Sequence, residues 1–173
     1  MSEYTKHLTP RPELRERIIE TAVKAFAAQG IKSITMDDIA TSLGISKRTL
    51  YEVFPDKETL LEECILRGQK EGDEYLKNVL ATSENVLEVL LKCYQRSIEK
   101  FHATNKKFFE DIKKYPKAYK LMTKRHDQDS EETVNFFKEG VKQGIFRDDV
   151  NFAIINLLVR EQIDLSLIHI SEP

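Results

Sequence analysis

Apolar positions recur at helical spacing along most of the chain, and the residues between them mark where helices start and stop. Ile18, Ile19, Ala22, Val23 and Phe26 form one face of a helix over residues 12–29, which Gly30 stops at a natural C-terminal position. Thr35 can cap the next helix, with Asp37 and Asp38 favourably placed in its first turn; Ile39, Ala40 and Leu43 face inward and Gly44 ends it. Ser46 caps a third helix over 47–53, Pro55 interrupts, and Asp56 caps a fourth that runs to about residue 80. Beyond it, residues 84–103 carry Val86, Leu87, Leu90, Leu91, Tyr94, Ile98 and Phe101 on one broad face, and 106–114 carry Phe108, Phe109 and Ile112. A further single segment is expected from Pro116 to about residue 144, with Leu121, Met122, Val134, Phe137 and Val141 inward; residues 149–164 are apolar nearly all round. No internal repeat, low-complexity stretch or strand pair is visible. The pattern predicts an all-α protein, with a three-helix head on a larger helical body joined through the fourth helix.

Composition sharpens this. Six Gly, five Pro and no Trp agree with few turns and long helices, and 40% hydrophobic residues in a chain of 173 suffice for a real core. Lys+Arg 27 against Asp+Glu 29 leaves −2 overall, which excludes a histone-like coat for nucleic acid and a polybasic membrane binder. Local concentrations of positive charge stay open, although residues 1–57 hold nine Lys/Arg against eight Asp/Glu, a net +1. Cys64 and Cys93 form no CxxC and suit a reducing compartment. The N-terminus is polar and charged, and the longest apolar run, 152–159, falls short of the ~20 residues of a membrane span, so a soluble cytoplasmic protein is expected. His7, His102, His126 and His169 are isolated, and neither a Gly-rich phosphate loop nor a nucleophile elbow is present. No metal, no cofactor and no enzymatic activity are expected.

Residues 36–53 have the chemistry of a helix-turn-helix. Two short helices that cross steeply need a small residue where they nearly touch, supplied by Ala40, and a turn residue tolerant of positive φ, supplied by Gly44. Ile39, Leu43, Ile45, Leu50 and Val53 fall at the spacings that close the small core beneath the pair. Any one of these features is common; the seven together between proper caps are specific.

The runs Ile34-Thr35-Met36-Asp37-Asp38-Ile39-Ala40, Leu43-Gly44-Ile45-Ser46, Thr49-Leu50-Tyr51 and Phe54-Pro55-Asp56-Lys57-Glu58-Thr59-Leu60-Leu61 resemble the N-terminal domain of the TetR family of bacterial transcriptional repressors. Ala22, Phe26 and Gly30 fall where that family has its first-helix alanine, phenylalanine and glycine, and the likeness covers residues 15–61. It implies a ligand-responsive regulator, most simply a repressor, that binds a palindromic double-stranded DNA operator as a homodimer; a transcriptional activator, or a helical interaction protein with the same head, is the alternative. The recognition helix then opens Ser46-Lys47-Arg48-Thr49, placing two cations and two hydroxyls at the end that enters a major groove. Arg48 or Lys47 can read guanine and Thr49 a thymine methyl, while plain phosphate contact suits both cations equally well. By resemblance the Tyr51 hydroxyl meets a phosphate, with a core aromatic as the other reading. Thr35 and Lys57 begin helices and by resemblance clamp the DNA backbone; a structural cap and an ordinary surface lysine are the alternatives. Arg48 stands where many relatives have a small residue, so no operator sequence carries over. Arg11, Arg15 and Arg17 read as extra phosphate contacts or as a solvated helix face.

The resemblance divides the chain into a DNA-binding domain over 1–57 and a ligand-binding and dimerisation domain over 58–164. The body then takes a small-molecule inducer of unknown identity, with Tyr94, Phe101, Phe108, Tyr119, Met122 and Phe137 as candidate pocket residues and ordinary core packing as the competing role for each. The helix over 152–163 has apolar side chains on more faces than one neighbour buries, as in a dimer interface or a central core. The last nine residues, Leu165 to Pro173, match the translation of CTG-TCT-CTT-ATA-CAC-ATC-TCC-GAG-CCC, the transposase adapter of sequencing libraries. Adapter read-through is therefore expected, with the native sequence ending near Asp164 and the body incomplete, since TetR members continue through one more long helix. A genuine end of helix is the alternative, and the same locus resequenced separates the two.

Overall fold

The computed structural model describes residues 11–128, 130–149, 151, 152 and 154, with side chains for all of these except 11, 124–128 and 130–132. Eight helices and no strand occur among them: α1 (Arg11–Gln29), α2 (Met36–Leu43), α3 (Lys47–Val53), α4 (Lys57–Thr82), α5 (Val86–Ala103), α6 (Lys106–Ile112), α7 (Pro116–Gln128) and α8 (Ser130–Lys142). The first six follow the sequence expectation to within about two residues at each end, the usual latitude of helix boundaries. α7 and α8 together occupy the span 116–144 in which one segment is expected, and residue 129 between them lies outside the described residues. The helix expected over 149–164 is described only at 149, 151, 152 and 154, and the tail at 165–173 lies outside the described residues.

The short helices of the head hold their shape through their ends. Thr35 and Asp38 form a capping box at α2: the Thr35 hydroxyl accepts from the Asp38 amide at 3.1 Å, and the Asp38 carboxylate accepts from the Thr35 amide at 2.8 Å. Gly44 closes α2 at φ +65°, the left-handed region that costs other residues about 1 kcal/mol or more. Ser46 caps α3 by accepting from the Thr49 amide at 3.1 Å, and Asp56 caps α4 by accepting from the Thr59 amide at 2.7 Å.

α1 lies against α2, α3, α4 and α6; α4 packs on α5 and α7, and α8 on α5. Phe26, Phe54, Ile18, Ile31, Ile39, Leu50, Leu60 and Leu61 are almost wholly buried in the head core. Each such side chain contributes roughly 1.5–3 kcal/mol on leaving water. Ile112 of α6 and Ala118 of α7 belong to the same cluster, so the body closes the core of the head. A second cluster in the body gathers Phe136, Phe137, Phe146 and Phe152, with Phe137 stacked on Phe152 at 5.1 Å.

Polar contacts fasten α6 to the end of α1. The Asn105 amide donates to the Ala27 carbonyl at 2.7 Å and its side chain to that of Ala28 at 3.1 Å, covering carbonyls that α1 leaves open. Asp111, only 7% exposed, accepts the Lys32 amide at 2.7 Å. Gly30 sits in this joint at φ +87°, and a Cβ there would come within 2.7 Å of the Lys107 Cβ. Both the turn and the close approach therefore require glycine.

Candidate nucleic-acid interface

The capped pair α2 and α3 presents one polar face. Ala40 and Leu50 are buried where the two helices meet, with Leu43, Ile45 and Val53 packed around them. On the other side of α3, Lys47, Arg48, Tyr51 and Glu52 are exposed. Tyr51 is 48% exposed, which removes the core-aromatic reading for it.

Both cations of α3 are tethered by carboxylates of the head. The Lys47 ammonium pairs with Asp37 of α2, and that hydrogen bond holds its pKa above the ordinary lysine value. The Arg48 guanidinium reaches Glu52, one turn on, at 3.0 Å. Both pairs are solvent-exposed, and such pairs are worth about 0–1 kcal/mol, so a phosphate or a base edge can displace the carboxylate at small cost. The hydroxyls of Ser46 and Thr49 lie 2.8 Å apart and hydrogen-bond to one another within the α3 cap. Among the polar side chains at the start of α3, the two cations therefore have the freest reach.

The flanking positions differ in kind. Thr35 is exposed, and its hydroxyl donates to Asp38 at 2.6 Å inside the capping box, so its cap role is realised in the structure. Lys57 is half-buried with its ammonium 5.8 Å over the Phe26 ring, and burial lowers its pKa. Arg15, read from the sequence as solvated or as a phosphate contact, instead pairs with Glu63 of α4 at 2.7 Å and lies 5.4 Å over the Phe54 ring. Arg67 of α4 joins Glu16 of α1 and, at 3.0 Å, Glu71. No local pattern announces these α1–α4 ties, because their partners are about fifty residues apart.

The sequence model of bacterial regulatory proteins of the tetR family matches residues 18–64, which span α2, α3 and the start of α4. Over 152 residues the chain is 27% identical to the HTH-type transcriptional repressor KstR2 of Mycolicibacterium smegmatis, covering 85% of this chain and 74% of that one. Residues 18–64 thus form a TetR-type head. A second relative, the HTH-type negative transcriptional regulator IcaR of the biofilm operon icaADBC in Staphylococcus aureus, is 32% identical over 72 residues, 42% of this chain and 37% of that one. The fold matches a transcriptional regulator from Saccharomonospora viridis solved in complex with choline, with a TM-score of 0.74, 25% identity, and 91% and 84% of the two chains covered. A chain with this head and these relatives is a transcriptional regulator, and no helix among its described residues is long and apolar enough to cross a membrane.

The six candidate pocket residues fall in three places. Tyr94 and Phe101 are exposed on α5, Phe101 stacking on Phe109 at 5.6 Å. Phe108, Tyr119 and Met122 pack against the head core, and Phe137 belongs to the second aromatic cluster. An open cleft of about 530 Å³ borders α8, lined by Val134, Lys138, Val141, Asp148, Asn151 and Phe152, and a smaller one of about 250 Å³ lies between α1 and α2. Neither cleft contains any of the six.

Proposed function

We propose that the chain is a ligand-responsive repressor that binds a palindromic DNA operator as a homodimer. The observation that carries this reading is the outer face of α3, where Lys47, Arg48 and Tyr51 stand exposed on a helix-turn-helix fixed by caps on both helices. A helix so presented enters a major groove, with arginine or lysine on guanine edges and the tyrosine hydroxyl on a phosphate. Thr35, Ser46, Thr49 and Lys57 complete the proposed contact set, the first three chiefly by holding the α2 and α3 ends in place. The head spans 1–57 and the ligand-binding and dimerisation body 58–164. Repression is supported by the relatives KstR2, a transcriptional repressor, and IcaR, a negative transcriptional regulator, and the choline bound to the Saccharomonospora protein supports a small-molecule ligand in the body.

Leu87, Leu91, Tyr94, Ile98 and Phe101 form an apolar stripe along the exposed side of α5, continued on α4 by Leu76 and Leu80. Apolar surface of that extent supports a body that takes a ligand or a second protomer rather than water. The fourth helix couples the two halves, since α4 begins in the head and packs on α5 and α7 in the body. Footprinting on the DNA upstream of its own gene tests the reading. A protected inverted repeat is the expected result, and its absence across that region would sink the proposal.

A further inference from the structure

The head over 1–57 carries a net +1, which is little for a protein that must hold two phosphate strands. The charge missing there stands next to it in the body. Residues 106–120 contain six lysines against Glu110 and Asp111, a net +4 in fifteen residues. Their placement is what matters. The α6–α7 turn abuts the α1–α2 turn, because Asp111 accepts the Lys32 amide at 2.7 Å. It also abuts the first turn of α4, where the Lys117 amide donates to Glu58 at 3.4 Å. Lys57 at the start of α4 feels the charges of both Asp111 and Asp38.

Lys114 in this turn and Lys117 and Lys120 at the start of α7 are exposed, as is Lys32 beside them. The neighbouring carboxylates are already engaged: Asp111 holds the Lys32 amide and lies 3.7 Å from the Lys114 ammonium, Asp56 caps α4, and Asp38 sits in the α2 capping box. The apolar side chains of the segment, Tyr115, Ala118 and Tyr119, pack inward against the head core. That leaves a polar cationic surface with nothing to insert into a lipid layer, which favours a rigid polyanion over a membrane.

Resting on the DNA-binding reading above, we propose that the α6–α7 turn is a second DNA-backbone contact surface, in which Lys114, Lys117 and Lys120, continued by Lys32, hold phosphates beyond those reached by the helix-turn-helix. Lysine suits the task as a point charge that needs no particular base sequence. The turn thus supplies affinity, and α3 supplies sequence choice.

The test uses the full chain and a random-sequence duplex of about forty base pairs, with affinity followed by fluorescence anisotropy across roughly 50–200 mM salt. The triple variant K114A/K117A/K120A is expected to flatten the slope of log affinity against log salt by about 2–3, at roughly 0.9 per phosphate, and to weaken binding at least about tenfold at the low-salt end. The charge-keeping triple variant K114R/K117R/K120R is expected to retain the wild-type slope. A K47A/R48A variant serves as the head control. If the head control flattens the slope while the alanine triple variant leaves it within about 0.5 of wild type, the surface proposal fails and the DNA-binding reading stands. Loss of slope in the arginine triple variant also overturns it, since packing rather than charge is then at work. If the wild-type chain binds no duplex at all, both readings fall. Far-UV circular dichroism of each variant separates unfolding from lost contact, and the single variant K117E, expected to weaken binding more than K117A, carries the test should a triple variant unfold.

Discussion

Asp111→Ala probes the joint between body and head. Asp111 is 7% exposed, and its carboxylate accepts the amide of Lys32, seventy-nine residues earlier, at 2.7 Å. Alanine removes the acceptor and leaves that partly buried N–H without one, a loss of about 1–3 kcal/mol. The Lys114 ammonium, 3.7 Å away, loses its nearest carboxylate as well, a smaller effect because it is largely in water. For a chain of this size each kcal/mol moves the melting point by about 2–4 °C, so a fall of about 2–12 °C is expected in thermal unfolding. Asn at the same position keeps an acceptor oxygen and forfeits only the charge, so Asp111→Asn should lose less than half as much. Amide exchange locates the effect: the Lys32 N–H should exchange faster in the alanine variant while amides in the middle of α1 keep their relative order. An alanine variant that melts within about 1 °C of wild type, with Lys32 protection unchanged, would refute the claim that this carboxylate fastens α6 to the head.

Ser46→Ala removes the α3 cap and should cost about 0.5–2 kcal/mol in urea unfolding, with the loss of protection concentrated at the Thr49 amide. Asp38 and Asp56 are held below the ordinary aspartate value, Asp38 first by the Thr35 hydroxyl and Asp56 first by the Thr59 amide. Their folded values lie below the unfolded ones, so this stability is present above about pH 3.9 and is lost as pH falls through the folded values; Thr35→Ala should flatten that acid limb of stability against pH, and an unchanged limb would contradict the assignment. Burial pushes the Cys64 thiol up to about 12, and it is 7% exposed, whereas Cys93 is half-buried. Alkylation of the native protein near pH 8 should therefore mark Cys93 first and reach Cys64 only on unfolding, as peptide mapping will show.

The head was legible because its information is local. Gly30, Thr35, Gly44, Ser46 and Asp56 each act within a few residues of their own position, and each is found in the role its chemistry implies. The body was less so. Leu121, Met122, Val134 and Phe137 share a helical period, and α7 and α8 fill the span it marks, with residue 129 between them outside the described residues. Candidate pocket residues picked as aromatics within helices fell in separate places, Tyr94 and Phe101 on the exposed side of α5, since aromatic content says neither whether a side chain is buried nor against what. Asp111 and Asn105 escaped notice for another reason: both serve backbone groups more than seventy residues away, and only the packing of α6 across α1 brings them there. The cations Lys47 and Arg48 were placed correctly on an exposed helix start, but their tethers to Asp37 and Glu52 differ in legibility, one being a tertiary contact and the other a four-residue helical spacing.

The central claim is that α3 reads DNA through its exposed face. Its most direct test is a titration of wild-type and Arg48→Ala protein onto the footprinted operator and a set of single-base variants of it. The account predicts a loss of about 1–3 kcal/mol for the variant, roughly 5- to 150-fold in affinity, with discrimination relaxed at one base pair in each half-site and retained elsewhere. Equal affinity and an unchanged base-preference profile for the two proteins would contradict it.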